Sequence, residues 1–405
     1  MIRVGILAAL FTLAVLSAQA APAFDRAGWR ADLAQLRDAM STNSANLEWA
    51  VSGRGMDLKA TYTAAERGLD DAQDDASARK ALEKFVSAFA DGHFEINWPE
   101  PQATVTDAKG QSLCSRLGFF DVSESGAIAP HLPGYVPLAN AAAPHIPAGL
   151  IAAGGKNIAV LRIPVFTPQG IPSLCAPAIR SLHLAPDSPC DSPCQSRVMM
   201  AADQIFLDEV QSQLRLLAAR KPDALLIDLA GNGGGDDTAI AIARMITDRP
   251  LATPRMGFVR GNAWAAALVE DQATVEQALR ETGDAQADLL KFKSELAVAV
   301  QAAKTPCDRA PLWDDKPIAC SQIVTTPLYA GGLSQFDLPT DLRGHSWSNN
   351  LSATASFHYT QGLWRGPVIV LVDGNTASSS ELMTAMLQDN HAALVIGAPT
   401  YGAGC

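Results

Sequence analysis

The sequence predicts an α/β fold, a sheet-and-helix core preceded by an N-terminal helical domain. Three observations carry this. "DALLIDLAGNGGGDD" reads as a buried strand running into a glycine turn, and "TAIAIARMI" directly after it reads as a helix. The alternation recurs near the end, where the strand-like "GPVIVLVDG" leads into the helical "NTASSSELMTAMLQDN" and then into "AALVIGAPTYGAGC". Ahead of both, residues 24–92 carry only helical periodicity.

Taken in order, residues 1–20 are expected to be a signal peptide. Arg3 supplies a basic start, "VGILAALFTLAVL" an apolar run, and Ala18 and Ala20 a small-x-small cleavage site. An uncleaved anchor would need ~20 apolar residues, and no later stretch is long enough to span a membrane. Residues 21–98 form the helical domain. Trp29, Leu33, Leu36 and Met40 fall on one helical face, as do Leu82, Phe85, Val86 and Phe89 after an Asp75/Ser77 start. Gly92 in "ADGHFEINWP" ends that segment, and a short strand is expected after it. Residues 99–150, rich in Pro, Ala and Gly, read as a linker. Residues 151–405 form the core, opening on the strand "KNIAVLRIPVF" and the helix "AADQIFLDEVQSQLRLLAARK". Within it, 262–322 reads as a helical insertion, with Leu289, Phe292, Leu296 and Val300 on one face. A Cys307…Cys320 loop closes it, and a lid or cleft wall is expected there.

The net charge is −11, and removal of residues 1–20 takes only Arg3, leaving 30 basic against 42 acidic residues. No basic cluster is present to meet phosphates, so nucleic acid is not an expected partner. The chain has seven cysteines, and export would permit disulfides. Cys190 and Cys194, spaced C-x3-C, read either as a disulfide or as two metal ligands. Zinc would want two more close ligands, and only His183 is near.

"GNGGGDD" is not a phosphate loop. No Lys-Ser/Thr follows it, Asp236 stands where a third dinucleotide-type glycine belongs, and two carboxylates would repel a phosphate. No cofactor or metal is expected. Two readings of the run remain: a tight turn needing positive φ, or side-chain-free N–H groups that hold an oxyanion. The triple serine Ser378-Ser379-Ser380 also has two readings. Serine is an ordinary helix N-cap. A serine on a sharp strand-to-helix turn is also how a nucleophile is presented, although the G-x-S-x-G form is absent. A serine nucleophile needs a base. Of seven histidines, His93 alone sits in a tight glycine-flanked break, and it reads equally as a hydrogen-bonded structural residue.

"ALLIDLAGNGGG", "GPVIVLVDGNTASSSELMTAMLQDN" and "ALVIGAPTYGAG", in this order, resemble the core of the tail-specific, or carboxyl-terminal processing, serine proteases. "DGH" resembles the matching element of their tricorn-type relatives. The resemblance implies a ClpP/crotonase-type core with Ser378 as nucleophile. It also implies one oxyanion N–H from Ser379 and another from Gly235 or Gly234. The chain departs from the pattern in three places. Ala403 stands where the processing proteases carry the lysine base, so His93 is the expected base. Residues 99–150 are short for a PDZ domain and read as a degenerate one or none. The chain stops at Cys405 where the family continues, so truncation is expected and a third catalytic residue would lie beyond it. The expected function is an exported, periplasmic or secreted serine endopeptidase acting on peptides or proteins. The alternatives are an inactive peptide- or ligand-binding protein of the same fold, and a hydrolase of non-peptide esters.

Overall fold

A computed structural model of the chain describes residues 24–99, 112–121, 126–283, 286–325 and 327–403. The expected signal peptide and Cys405 lie outside the described residues. Helices α1 (Arg26–Asn43), α2 (Leu47–Ser52), α3 (Leu58–Asp71) and α4 (Asp75–Ser87) make the N-terminal domain. Aspartates start three of them: Asp25, Asp57 and Asp74 accept the N–H of Gly28, Ala60 and Ser77 at 3.0, 2.7 and 2.8 Å. The helix α4 starts at Asp75 as expected, and Asp74 caps it in a reciprocal capping box with Ser77. Leu33, Met40, Leu69, Leu82 and Phe85 fill the core between the helices. Residues 93–98 are not a strand. Phe94, Ile96 and Trp98 pack onto the helices, and Trp98 Nε1 donates to Glu83 at 2.6 Å. The alternation that suggested a strand seats rings on a helical core instead of pairing with a sheet edge.

The expected α/β core is present. Its six-stranded sheet runs β1 (Tyr135–Pro137), β2 (Ala148–Ala153), β3 (Lys156–Arg162), β4 (Ala224–Asp228), β5 (Val368–Val372) and β6 (Leu394–Gly397), in that spatial order. The first two pairings are antiparallel and the other three parallel. Part of the 99–150 stretch therefore lies in the sheet. Helices α5 (Ser192–Ala219), α6 (Thr238–Met245) and α9 (Ser379–Asp389) cover one face, with α7 (Asn262–Thr282) and α8 (Ala287–Ala303) as a separate antiparallel pair between α6 and β5. Leu161, Ile227 and Val370 face Phe206, Leu214, Ile240 and Met383 in the main core. The strands β3–β5 read as continuous apolar runs because the opposite face is covered too, with Val160, Leu226 and Leu371 against Ala129 and Ile151.

The cysteines pair as Cys114–Cys175, Cys190–Cys194 and Cys307–Cys320. The C-x3-C pair is therefore a disulfide. The loop closed by Cys307–Cys320 is a strap on the helical domain. Arg309, fully buried, donates to the carbonyls of Met40, Ser41 and Ser44 at the end of α1, at 3.2, 2.8 and 2.7 Å. Trp313 enters the helical core and its indole N–H reaches Ser41 Oγ at 2.8 Å. Gln322 donates to the Thr42 carbonyl, and Glu48 accepts the Gln322 N–H at 2.7 Å. Removing the guanidinium takes a donor from all three carbonyls, of which Met40 keeps the Ser44 N–H, at ~1–3 kcal/mol for each group left unsatisfied before relaxation. Arg309→Met is expected to lower stability by about 2–4 kcal/mol and to expose Trp313. Denaturant unfolding followed by tryptophan emission checks both, and a change under ~0.5 kcal/mol would show the strap to be ornamental.

Candidate active site

The parallel strands end together, and the loops leaving their carboxyl ends form the site, as is usual for α/β sheets. Asp228 at the end of β4 is fully buried. It accepts the N–H groups of Ile128, Ala129 and Ala230 at 2.9, 2.7 and 3.0 Å, with the Arg162 guanidinium 3.6 Å away. This fixes where the chain leaves the strand. Asn232, also fully buried, then shapes the glycine turn. Its amide donates to the Ile163 carbonyl and accepts the Gly234 N–H, both at 2.9 Å. Asp373 closes the turn from β5, accepting Gly231 N–H, Asn375 N–H and the Thr376 hydroxyl at 2.8, 3.0 and 3.1 Å. Burial opposes its charge, but these donors together hold the carboxyl below its usual range.

Gly234 sits at φ +99°, and a Cβ there would fall 2.6 Å from Ser378 Cβ and 2.9 Å from Ser379 N. The turn thus lies directly against the start of α9, and only glycine fits. At Gly235 a Cβ would fall 2.2 Å from the Phe166 backbone, because Phe166 N–H donates to Gly234 O and accepts Asp236 N–H on its own carbonyl, at 2.8 and 2.7 Å. The two glycines then differ. The Gly234 N–H is engaged by Asn232, whereas the Gly235 N–H has no partner among the described residues.

Ser378 precedes α9 at φ 53°, ψ −122°, outside the ordinary regions for an L-residue. Its strain is held by Glu381. One carboxylate oxygen accepts the N–H groups of Ser378 and Ala403, both at 2.8 Å, and the other accepts that of Gly402 at 2.7 Å. Ser379 Oγ donates to Gly235 O at 2.9 Å, locking helix and turn together, and the Ser379 N–H is unpartnered among the described residues. Ser380 is fully buried and its hydroxyl has no partner among the described residues, so it is not the cap.

His93 lies on the exposed turn after α4, where Asp91 accepts its N–H at 3.0 Å and the Asn46 side-chain amide at 2.8 Å. The preceding Gly92 packs on the end of the core, where a Cβ would lie 2.9 Å from Ala403 Cβ and 2.2 Å from the Tyr401 ring. Ala403 is tied to Glu381, so the His93 turn and the Ser378 turn are two contacts apart. No hydrogen bond joins His93 to Ser378. Glu381, Asn232, Asp228 and Asp373 were not singled out from the sequence. Glu381 was legible through the S-x-x-E spacing of a capping box, whereas Asp228 ends a strand and Asn232 and Asp373 lie in loops, where no spacing marks their partners.

Behind the glycine turn lies a carboxyl cluster. Asp236 accepts both the N–H and the hydroxyl of Thr238, at 2.9 and 2.6 Å. Asp203 on α5 lies beside Asp236, and its Oδ1 is buried without a partner among the described residues. Burial, then the Asp236 and Asp237 charges, push Asp203 up to about 8. A folded-state value above the unfolded carboxyl's 3.8 means stability fully present below about 3.8 and lost as pH rises toward about 8. Asp203→Asn, which keeps a donor and has no charge to bury, should match the parent near pH 4 and exceed it increasingly toward pH 8. Thermal unfolding of both proteins at the two pH values measures the gap; a gap independent of pH would contradict the assignment.

Residues 199–405 match the profile of Peptidase family S41. A protein of Chlamydia pneumoniae is 29% identical over 192 residues, which are 46% of this chain and 27% of that protein, so the chain spans about a quarter of its relative's length. Among solved structures, mature CPAF superposes with a TM-score of 0.54 at 14% identity, covering 93% of this chain and 84% of that one. Mature CPAF complexed with lactacystin gives 0.53 at 14% identity, covering 94% and 85%. At such identity these superpositions speak to the fold. With half of the chain matched, including the glycine turn, the triple serine and Glu381, the chain belongs to peptidase family S41, a family of serine peptidases.

Proposed function

We propose that the chain is an exported serine endopeptidase in which Ser378 is the nucleophile and His93 the general base. Ser378 Oγ attacks a peptide carbonyl, His93 takes its proton, and the tetrahedral oxyanion lies between the N–H groups of Ser379 and Gly235. Collapse breaks the C–N bond, His93 returns the proton to the leaving amine, and water then hydrolyses the acyl-serine by the same proton route. One observation carries this reading: two backbone N–H groups flank the strained serine and both lack partners among the described residues. Such preorganised donors are worth about 2.7–4 kcal/mol each in the transition state. The glycine run thus serves both readings offered by its sequence, as a tight turn and as a donor.

A histidine base is favoured by the packing at Ala403. In the processing proteases a lysine occupies this position; here a methyl group leaves room for Gly92 and so brings the His93 turn against the core. A histidine also begins near ~6.5, whereas lysine begins near ~10.4 and needs strong depression to act as a base. Export is supported by three disulfides, which persist in oxidising compartments, and no described helix is long and apolar enough to cross a membrane. The second reading, a peptide-binding protein without turnover, is favoured by the missing His93–Ser378 hydrogen bond. Catalytic bonds are often long before substrate binds.

Ser378→Ala should abolish turnover of a casein or peptide-library substrate. His93→Ala should lower it by ~10²–10⁴, and the double variant should be no worse than Ser378→Ala, since both disable one step. Near-full activity in His93→Ala beside a dead Ser378→Ala would place the base elsewhere. Ser380→Ala should keep turnover and hold or raise stability, because the hydroxyl it removes is buried and unsatisfied. Activity of the parent should rise with pH through the histidine range and then level. Fluorophosphonate labelling of Ser378 without any peptide cleavage would favour an esterase, and no labelling would favour the binding protein.

A further inference from the structure

A cavity of about 120 Å³ opens beside the His93 turn, between the helical domain and the end of the core. Asp91 and Phe94, on either side of His93, form one wall, and Gly402 forms another. Gly402 is bonded to Glu381, which also holds the Ser378 N–H, so the cavity adjoins the nucleophile turn. Trp49, Ala50, Phe89 and Phe94 make its lining largely apolar. Two charged side chains, Asp91 and Arg54, also line it. Asp91 accepts from the His93 N–H and the Asn46 amide, and Arg54 donates to the Phe89 carbonyl. The Arg54 guanidinium lies 5.7 Å over the Trp49 ring, which fixes the indole although it is 55% exposed. The apolar wall is thus flanked by two oppositely charged side chains, Asp91 and Arg54, that make no ion pair with each other.

We infer that this cavity is a specificity pocket that takes one aliphatic side chain of the peptide substrate, of the size of valine, leucine or methionine. The inference rests on the peptide-substrate reading above and names the residues that select. Size sets the class, since an apolar cavity of ~150 Å³ holds a benzene ring, so about 120 Å³ suits a branched aliphatic group and excludes an indole. Chemistry favours an apolar group, because a charged or amide side chain laid on the Trp49, Phe89 and Phe94 wall would lose water there without replacement. The pocket spans both domains, so substrate selection depends on the helical domain being docked. Trp49 and Phe94 are its specificity-determining residues, and neither touches the reacting atoms.

The test uses the full chain carrying Ser378→Ala and fluorescein-labelled decapeptides in which each position in turn is Gly, Val, Leu, Trp, Asp or Lys. Fluorescence anisotropy gives Kd. At one position Leu and Val should bind ~10–10²-fold more tightly than Gly, while Trp, Asp and Lys gain nothing. Trp49→Ala in this background should flatten the preference and Trp49→Phe should restore most of it. If circular dichroism shows Trp49→Ala unfolded, Ser44→Leu on the facing wall takes its place and should abolish the Leu preference by filling the cavity. A Kd indifferent to side chain at every position, or a preference that survives these variants, overturns the pocket. The tightest peptide is then given to the parent. Failure to cleave it sinks the peptidase reading while leaving the binding preference as measured.

Discussion

Three backbone N–H groups converge on the carboxylate of Glu381, and the geometry of the site follows from that convergence. Ser378 cannot rest at φ 53°, ψ −122° without compensation, since such a backbone costs of order 1–3 kcal/mol. Charge-assisted bonds from an acid at the first turn of a helix supply it, helped by the positive end of the helix dipole. The same carboxylate draws Gly402 and Ala403 over the helix start. It therefore decides what stands beside Ser378 as well as how Ser378 is held.

The glycine turn answers a second constraint. Two loops from neighbouring parallel strands must approach until a Cβ at Gly234 would overlap the serine. The Ser379 hydroxyl on the Gly235 carbonyl and the Ala377 N–H on the Asn232 carbonyl tie the loops together, while the Asn232 side chain takes the Gly234 N–H within its own turn and the Gly235 N–H has no partner among the described residues. Loss of side chains at the turn is thus a packing requirement before it is a catalytic one. The buried aspartates behind the turn, Asp203 and Asp236, hold it from the α5 side at a cost in charge burial that rises with pH.

The sequence made the core legible where period and length agreed. Runs such as "ALLIDL" and "VIVLV" became strands, and the periodic faces of α4, α7 and α8 became helices, because burial on one or both faces writes itself into spacing. The strand expected after Gly92 failed for a related reason. Alternation at Phe94, Ile96 and Trp98 signals a buried side without saying whether a sheet or a helix covers it. At the candidate site, turn chemistry marked the triple serine and the glycine run as a helix start and a tight turn, and their proposed roles came from the family resemblance. Asp228, Asn232 and Asp373 were not legible, since their work is to satisfy backbone groups of segments up to 142 residues away, and no local pattern marks such a partner.

The expectation of a lid over 262–322 is the most instructive comparison. Its disulfide loop sends Arg309, Trp313 and Gln322 into the helical domain, so the insertion is a brace between two parts of the chain. That brace has a consequence at the site. The His93 turn emerges from α4, whose Phe85 and Phe89 pack on Trp313 at 6.2 and 6.4 Å between ring centroids. A lysine base carried on the core, as in the processing proteases, would need no such support, because core and nucleophile move together. A base carried on a separate helical domain is only as well placed as the docking of that domain. For the proposed His93 base, docking rests on Gly92 against Tyr401 and Ala403 on one side and on the strap on the other.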